Sequence, residues 1–265
     1  MGATICSSNA YAGWEGPQRL DAGGARHDVV RVFEYEPDLL AGVDARSAAH
    51  LTRRAAAPRV WVEAGRWAPP RDDAARRSLG LLVLDGLMTR TINVSGRECP
   101  ELIGAGDLLR PWDHTGEDAS VSQAATWTAL ERSTVAVLDE RFAAIVCRWP
   151  AVVGALLSRS IQRSRTVAFH CAIAHIRHAD TRLLMLLWHL ADRWGRMTPA
   201  GVHVPVRLTH ELMAHLACMR RPTASSALQR LSRRGEIVRR TDGTWLLLGD
   251  APAARPDVRP QAGAA

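Results

Sequence analysis

The sequence has no lysine, so arginine supplies all 34 of its permanently basic side chains, against 27 acidic residues. Its five cysteines lie far apart and form no Cys-x-x-Cys pair, which indicates neither a zinc ribbon nor a disulfide framework. The longest apolar runs are far shorter than the roughly 20 residues that span a bilayer. The N-terminal stretch lacks a basic segment followed by an apolar one, so it does not predict a signal peptide. We therefore expect a cytoplasmic protein without membrane association.

The sequence also lacks the motifs that mark common enzymes. No phosphate-binding loop, His-Glu-x-x-His arrangement or nucleophile-and-base pair stands out, and the ten histidines are scattered. Cys171, His175 and His178 are spaced by four and three residues, which places them on one face of a predicted helix as weak candidates for metal ligands. The alternative is that Cys171 and His175 fill the seam of that helix. We predict no enzyme activity, no cofactor and no metal site.

The first half of the chain has the pattern of a small β domain. A length of 265 residues suits two modest domains, and we predict a mobile arm over 1–35 followed by a domain over 36–138. In that domain Asp44 caps a helix that Pro58 ends, and Asp-Gly, Ser-Gly and Gly-Asp pairs then separate short apolar stretches. Short strands joined by glycine turns indicate an antiparallel sandwich or a rolled barrel.

The pattern changes to a helical period at Asp139. Apolar residues then recur every three or four positions, without turn residues for nearly thirty residues after Pro150. We predict a long helix over 139–178 and interpret it as a dimerisation element, because small residues along its stripe let a partner helix approach closely. The alternative is that the helix packs on its own domain. The apolar stripe consists of Val153, Leu157, Ile161, Ala168 and Cys171.

Residues 179–250 carry the strongest local signals, and residues 251–265 are predicted to form a disordered tail. Eight arginines and four acidic residues lie between 206 and 250, so this segment holds more than half of the net charge of +7. Thr209 is predicted to cap a short helix, a turn of about four residues follows, and Pro222 starts a second helix. Two short strands around an Asp-Gly turn close the segment.

The second of these helices, over 221–234, has the composition of a helix that reads the major groove of DNA. Near its N-terminus hydroxyls and backbone N–H groups can bind phosphate, and arginines can bind guanine. Ala224, Leu228 and Leu231 are predicted to face inward. The alternative is a three-helix bundle with a solvated basic face. We predict DNA contacts from Thr209, His210, Arg220, Arg221, Thr223, Ser225, Ser226, Gln229, Arg230, Arg239 and Arg240.

The segment LTHELMAHLACMRRPTASSALQRLSRRGEIVRR, residues 208–240, resembles the winged helix-turn-helix of the Crp/Fnr superfamily of bacterial transcription regulators. Upstream, LLMLLWHLADRWG resembles the helix that leads into this module, and GLLVLDGLMTR, ELIGAGDLLRPW and ATWTAL resemble the family's effector-sensing β-roll. The resemblance covers about residues 35–248. It implies an α+β fold with an N-terminal antiparallel β-roll like a cyclic-nucleotide-binding domain, a long connecting dimerisation helix and a C-terminal winged helix-turn-helix.

The resemblance also implies a function. It predicts a homodimer that binds a palindromic operator through two recognition helices, with double-stranded DNA, RNA polymerase and an unknown small-molecule effector as partners. Arg221, Thr223, Ser225 and Ser226 would face bases or phosphates. Members that bind cyclic nucleotide usually carry arginine where Ser226 stands and glutamate where Pro222 stands, so their preferred DNA sequence does not transfer to this chain.

The predicted roll lacks the residues by which such members hold cyclic nucleotide. They carry Gly-Glu-Leu shortly after the Gly-Asp turn and a later arginine, whereas here Gly106-Asp107 is followed by Leu-Leu-Arg-Pro-Trp and Gln-Ala-Ala precedes Thr126. A buried phosphate without a cation is severely penalised, so we predict no tight binding of cyclic AMP. Arg110 and Trp112 are the remaining candidates for an effector site. Alternatively, Arg110 is a surface side chain stacked near Trp112.

The sequence also allows two other interpretations to be considered, an iron–sulfur protein and a protein that does not bind DNA. An iron–sulfur cluster, known elsewhere in the superfamily, needs clustered N-terminal cysteines, which Cys6 alone does not supply. The main alternative function does not involve DNA: the roll binds a small molecule or a protein, and the C-terminal helices dock a protein. Binding to DNA fragments at modest salt separates the two functions.

Overall fold

The computed structural model describes residues 28–70, 77–112 and 124–252, and the chain divides into two compact units. The second unit contains residues 90–102 and 121–125 and everything from residue 161 onward, and the first contains the rest. The predicted tail lies almost wholly outside the described residues, as does most of the predicted arm. Each unit is described by itself below.

The N-terminal part of the chain, up to residue 160, contains two sheets and several short helices. Its helices are α1 (Val32–Tyr35), a 3-10 turn (Pro37–Leu40), α2 (Ala45–Arg54), α3 (Glu140–Val146) and the beginning of α4 (Pro150–Ala174). Its strands are β1 (Val29–Arg31), β2 (Ala56–Val62), β3 (Gly65–Trp67), β4 (Gly80–Asp85), β5 (Leu87–Val94), β6 (Arg97–Gly104), β7 (Leu108–Leu109), β8 (Ala124–Ala129) and β9 (Ser133–Leu138). One sheet has the antiparallel order β1-β2-β9-β4-β7, and the other has the order β3-β8-β5-β6. With the helices, these sheets confirm the predicted α+β fold class.

Strand β4 lies at the centre of the core because both of its faces are covered. Leu81 and Val83 pack into one apolar cluster with Trp127 of the second sheet. Leu82 and Leu84 point the other way, since side chains alternate along a strand, and pack into a second cluster with the helices. This double burial explains why the sequence of β4 is an unbroken apolar run rather than an alternation of apolar and polar residues.

The predicted glycine turns lie where the sequence places them. Gly86 joins β4 to β5 with φ +94°, and a Cβ there would lie 2.6 Å from Cα of Ser133, so only glycine fits. Ser95 and Gly96 join β5 to β6 with φ of +50° and +74°, the sign that two-residue hairpin turns require. Asp44 caps α2 as predicted, with its Oδ1 accepting a hydrogen bond from the backbone N of Ser47 at 3.0 Å.

Two predicted boundaries need correction. Residues 29–35, predicted as part of the arm, form β1 and α1, because Val30, Val32 and Phe33 are buried in the core. The single helix predicted over 139–178 consists of α3 and α4, interrupted at residues 147–149, and α4 ends at Ala174. The interruption follows from Pro150, which has no N–H and disfavours the helical conformation of the residue before it. Within the described ranges, no helix has the length and hydropathy that a membrane crossing requires.

The second unit contains the rest of α4, three more helices and a small sheet. The helices are α5 (Ala179–Trp194), α6 (His210–Leu216) and α7 (Arg221–Arg233). The strands β10 (Arg196–Thr198), β11 (Gly201–Val204), β12 (Ile237–Arg239) and β13 (Trp245–Leu247) form an antiparallel sheet in the order β10-β11-β13-β12. The sequence pattern predicted only the last hairpin. It missed β10 and β11, because strands of three and four residues are too short to show a periodic pattern.

A cluster of rings joins α4 to α5 inside this unit. The ring of Phe169 stacks on His189 with centroids 4.1 Å apart, and His170 meets His189 edge-on at 5.4 Å. Nε2 of His170 is buried without a hydrogen-bond partner among the described residues. Burial and, to a smaller extent, the nearby His189 lower the pKa of His170 to about 4, while Glu101 opposes the change. The folded protein therefore keeps the His170 ring neutral at pH 7.

Candidate nucleic-acid interface

The helix-turn-helix is formed by α6 and α7, joined by residues 217–220 as predicted. Thr209 caps α6, because its Oγ1 accepts a hydrogen bond from the backbone N of Leu212 at 3.1 Å. Pro222 lies in the first turn of α7, where a missing N–H costs no intrahelical bond. Local sequence signals are therefore sufficient to begin both helices.

The turn between the two helices is held by Arg182 of α5. Its guanidinium donates hydrogen bonds to the carbonyl oxygens of Ala217 and Cys218 at 3.1 and 3.0 Å, and also to that of Ile176. Cys218 has φ +51°, in the left-handed region that favours glycine. One half-buried cation thus satisfies carbonyls from two separate segments and fixes the turn against α5. No sequence pattern indicated this role for Arg182.

Helix α7 buries one stripe and presents another to solvent. Ala224, Leu228 and Leu231 are buried, which confirms the inward face predicted for them. Ser225 is half-buried, and its Oγ lies 3.1 Å from Nδ1 of His210. The remaining predicted contact residues of this face are exposed: Thr223, Ser226 and Gln229.

A concave groove of about 440 Å³ lies between α7 and the β12–β13 hairpin. It brings together five of the residues predicted to contact DNA: His210, Ser225, Ser226, Gln229 and Arg239. Leu228, Ser232 and Trp245 also line it. Ser232 was missed by the sequence reasoning, although its spacing of three from Gln229 places it on the same face of the helix. Trp245 was missed because it comes from another element.

The β12–β13 hairpin is ordered by a chain of polar contacts. Oγ1 of Thr244 donates to Oδ1 of Asp242 at 2.6 Å and lies 2.9 Å from Nε2 of His203. Gly243 completes the predicted Asp-Gly turn with φ +83°. The guanidinium of Arg239 lies 5.8 Å from the ring of Trp245, at the distance of a cation–π contact. The hairpin is thus a rigid support beside α7.

Four of the five arginines in and beside α7 fall into two groups, and the fifth, Arg233, is exposed. Arg230 and Arg234 both bind Asp180 of α5, with shortest N–O distances of 2.6 and 2.8 Å. Hydrogen bonds from Arg230 and then from Arg234 hold the pKa of Asp180 below its ordinary value. Arg220 and Arg221 are exposed and have no acidic partner within the part of the chain that the structure describes. Arg230, predicted to contact DNA, is therefore held by an internal partner, whereas Arg220 and Arg221 face solvent.

His210 lies in a positive environment. Burial lowers its pKa, and the charges of Arg239 and Arg221 lower it further. The ring centroid is 6.5 Å from that of Trp245. His210 is therefore neutral in the free protein at pH 7, and cations face it from both α7 and the hairpin.

The candidate effector residues of the roll are occupied by contacts of their own. Nη1 of Arg110 donates hydrogen bonds to the carbonyl oxygens of Ser78 and Leu79 at 2.7 and 3.2 Å. Its guanidinium lies 5.7 Å from the ring of Trp112, which packs against the apolar cluster of the roll. This geometry resembles the alternative drawn from the sequence, a stacked arginine. A role for either residue in effector binding stays a prediction.

The candidate metal ligands of α4 do not share a helix face. Because α4 ends at Ala174, His175 and His178 follow the helix, and His178 is the N-cap of α5. The assumption of one continuous helix was wrong here, so the spacing of four and three no longer aligns the three side chains. Over residues 28–70, 77–112 and 124–252, no group of three or more histidine, cysteine or acidic side chains could hold a metal ion.

Comparison with known proteins agrees with this geometry. Residues 181–252 match the model of the Crp-like helix-turn-helix domain. No curated protein matches the chain in sequence. Solved structures do match: a cyclic nucleotide-binding domain containing protein from Listeria monocytogenes EGD-e is 12% identical with a TM-score of 0.60, over 82% of this chain and 97% of that one.

Two further solved structures match over most of the chain. A CooA mutant from Carboxydothermus hydrogenoformans is 21% identical, with a TM-score of 0.53 over 72% of this chain and 83% of its own. CLP from Xanthomonas campestris, a c-di-GMP responsive global regulator, is 15% identical, with a TM-score of 0.53 over 78% of this chain and 100% of its own. Residues 181–252 therefore match a Crp-like helix-turn-helix domain, and the chain shares its overall fold with these three solved structures.

Proposed function

We propose that the protein is a homodimeric transcription regulator that binds a palindromic DNA site by inserting the N-terminal end of α7 into the major groove. The observation that carries this proposal is a pair of exposed cations, Arg220 and Arg221, which have no acidic partner among the described residues and lie beside the exposed Thr223, Ser226 and Gln229. The N-terminus of a helix carries a partial positive charge and free N–H groups, which favour phosphate. Because these arginines have no acidic partner in the ranges that the structure describes, contact with DNA breaks no ion pair there.

The proposed dimer interface is the exposed stripe of α4. Val153, Leu157 and Ile161 are 40%, 60% and 44% exposed, although all three are large apolar residues at a spacing of four. The same helix buries Val152 and Leu156 in the core of the first unit. A helix with a second apolar face left open is typical of a coiled-coil partner. A second copy of α4 would cover this stripe and place two α7 helices about one turn of DNA apart.

The effector is proposed to differ from cyclic AMP. The turn at Gly106-Asp107 leads directly into β7, whose Leu108 and Leu109 are both buried, so no acidic side chain follows to hold a ribose hydroxyl. Arg110, the nearest cation in sequence, already binds two backbone carbonyls. Calorimetric titration with cyclic AMP and cyclic GMP should show no micromolar binding. Micromolar binding of either nucleotide would contradict this part of the proposal.

Selection of duplexes from a random pool by the full-length protein tests DNA binding. We expect an inverted repeat whose half-sites lie about 10 base pairs apart, and an affinity that falls steeply with salt as counterions are released. Mapping of bound fragments across the genome should recover the same motif. A variant with Arg220→Ala and Arg221→Ala is the matched control and should enrich nothing. If the unmodified protein enriches no duplex at about 50 mM salt, the alternative of a protein-docking module is favoured.

Sedimentation velocity tests the dimer. Leu157→Glu should give a monomer, because a buried carboxylate without a partner is strongly disfavoured in an apolar interface. Met197→Glu is the matched control, since Met197 is an exposed apolar residue outside α4. It should leave the protein dimeric. A Leu157→Glu protein that remains a dimer would place the interface elsewhere.

A further inference from the structure

The contact between His210 and Ser225 joins the two helices of the helix-turn-helix inside the groove. His210 is the first residue of α6, and Ser225 lies in the second turn of α7, so fifteen residues of chain separate a ring nitrogen from a hydroxyl 3.1 Å away. Ser226 and Gln229, the neighbouring groove residues, are exposed. Ser225 is thus a hydroxyl of the proposed DNA-binding face that is already tied to a titratable side chain.

The presence or absence of a proton on Nδ1 of His210 decides what this hydroxyl can offer to DNA. If Nδ1 carries no proton, Ser225 donates its hydrogen to Nδ1 and presents only an acceptor outward. If the ring is protonated, Nδ1–H donates to Oγ, and the hydroxyl hydrogen is free to donate outward. A donor suits phosphate oxygens, guanine N7 and O6 and thymine O4, whereas an acceptor suits the amino groups of adenine and cytosine.

The charges around His210 favour a change of state when DNA arrives. Arg221 faces it from α7 and Arg239 from β12, and together with burial they keep the ring neutral in the free protein. The aromatic ring of Trp245 on β13 completes the surroundings and carries no charge. Phosphates that neutralise Arg221 and Arg239 remove the repulsion and add attraction for an imidazolium.

We propose that His210, neutral with its proton on Nε2 in the free protein, is a positioning residue that turns Ser225 from an acceptor into a donor by taking up a second proton, on Nδ1, as DNA binds. This inference rests on the proposed function, since it concerns the same face of α7. It adds a proton to the binding reaction, so the affinity for DNA should rise as pH falls. It also adds a base preference at the position that Ser225 reads, and that preference should change with pH.

The test measures the affinity of the full-length protein between pH 6 and pH 8 for the duplex recovered with highest affinity from the random pool. We expect binding to weaken as pH rises, by up to about tenfold per pH unit for each His210 that takes up a proton. His210→Gln keeps an amide beside Ser225 but cannot titrate, so its affinity should be independent of pH. His203→Gln is the control. It removes the imidazole that contacts Thr244 on the hairpin, and it should keep the pH dependence.

Ser225→Ala separates positioning from simple charge. It should keep the pH dependence, because His210 still titrates, but selections at pH 6 and pH 8 should then recover the same base at the position read by residue 225. A His210→Gln protein with the same pH slope as the unmodified protein overturns the inference, and so does an unmodified protein whose affinity is flat. If the unmodified protein binds no duplex at any pH, the proposed function fails and this inference with it.

Discussion

The two ends of α7 carry the same type of side chain in opposite circumstances. At the C-terminal end Arg230 and Arg234 share the carboxylate of Asp180, whose side chain is 19% exposed. At the N-terminal end Arg220 and Arg221 have no acidic partner in the described residues, and the side chains beside them are small and polar. Charge counting treats these arginines alike, but the contacts divide them into a structural pair and a pair available to a polyanion.

The difference extends to the whole module. Its inner side is fixed by groups that a sequence pattern does not display, namely Asp180, Arg182 and the His170–His189 contact. Its outer side carries exposed side chains, among them Arg220, Arg221 and Ser226. Substitutions on the inner side should therefore change stability with little effect on intrinsic DNA affinity, and substitutions on the outer side should do the reverse. The following predictions test this division, from the largest effect to the smallest.

Arg221→Ala should weaken DNA binding by about 1 to 3 kcal/mol, roughly tenfold to over a hundredfold, if the guanidinium makes a bidentate contact with a base. The free energy of unfolding should stay within about 0.5 kcal/mol of the unmodified value, because an exposed side chain without partners is removed. Fluorescence anisotropy with the selected duplex and urea denaturation measure the two effects. Unchanged DNA affinity would remove Arg221 from the proposed interface.

The junction of α4 and α5 should make the protein sensitive to acid. The pKa of His170 is lowered to about 4 by burial, so the ring is neutral in the folded protein where the unfolded chain protonates it. Unfolding therefore takes up a proton between about pH 6.5 and pH 4, and stability is full above this window and declines as pH falls through it. We expect a loss of about 1 to 3 kcal/mol.

His170→Phe is the matched variant, because it keeps a ring in the cluster and removes the titration. Urea denaturation followed at pH 7.5 and at pH 4.5 should show a smaller decline for the variant than for the unmodified protein. An equal decline in both proteins would show that His170 does not carry this acid sensitivity.

Asp180→Asn should lower the free energy of unfolding by about 1 to 2 kcal/mol, because two half-exposed guanidiniums lose a charged acceptor. The pKa of Asp180 is lowered in the fold, so the stability that it contributes is present at neutral pH and is lost on acidification. Urea denaturation at pH 7 measures the effect. The affinity for DNA should stay within about threefold, and a loss as large as that of Arg221→Ala would contradict the division of α7 into two ends.

Arg230→Ala should have the smallest effect. Arg234 still binds Asp180, so we expect a smaller loss in the free energy of unfolding than for Asp180→Asn. The salt dependence of DNA binding should not change, whereas Arg221→Ala should reduce its slope by about one if that residue contacts a phosphate. Measuring the affinity at several salt concentrations distinguishes the two arginines directly.

The sequence predicted those features that depend on a few neighbouring residues. Thr209 and Asp44 are capping residues whose partner lies three positions away, and Gly86 and Gly96 mark turns by their own backbone freedom. The inward face of α7 followed from a helical period. These signals are local, so no tertiary information was needed to interpret them.

The features that were missed depend on residues far apart in the chain. Asp180 meets Arg230 across fifty positions, and Arg182 meets Cys218 across thirty-six. Charge and spacing cannot show which of many arginines an acid will bind, because that choice is made by the packing of α5 against the helix-turn-helix. The prediction of Arg230 as a DNA contact rested on its outward position in a helical projection, which does not show the acid on another helix that binds it, and it stays a prediction.

Modification of arginines by phenylglyoxal in the presence and absence of the selected duplex tests the central claim most directly. Because the chain has no lysine, every basic side chain other than histidine can be followed with one reagent and identified by mass spectrometry. Bound DNA should protect Arg220 and Arg221 strongly and leave the reactivity of Arg230 and Arg234 unchanged. A complex in which Arg220 and Arg221 react as fast as in the free protein would contradict the insertion of this end of α7 into DNA.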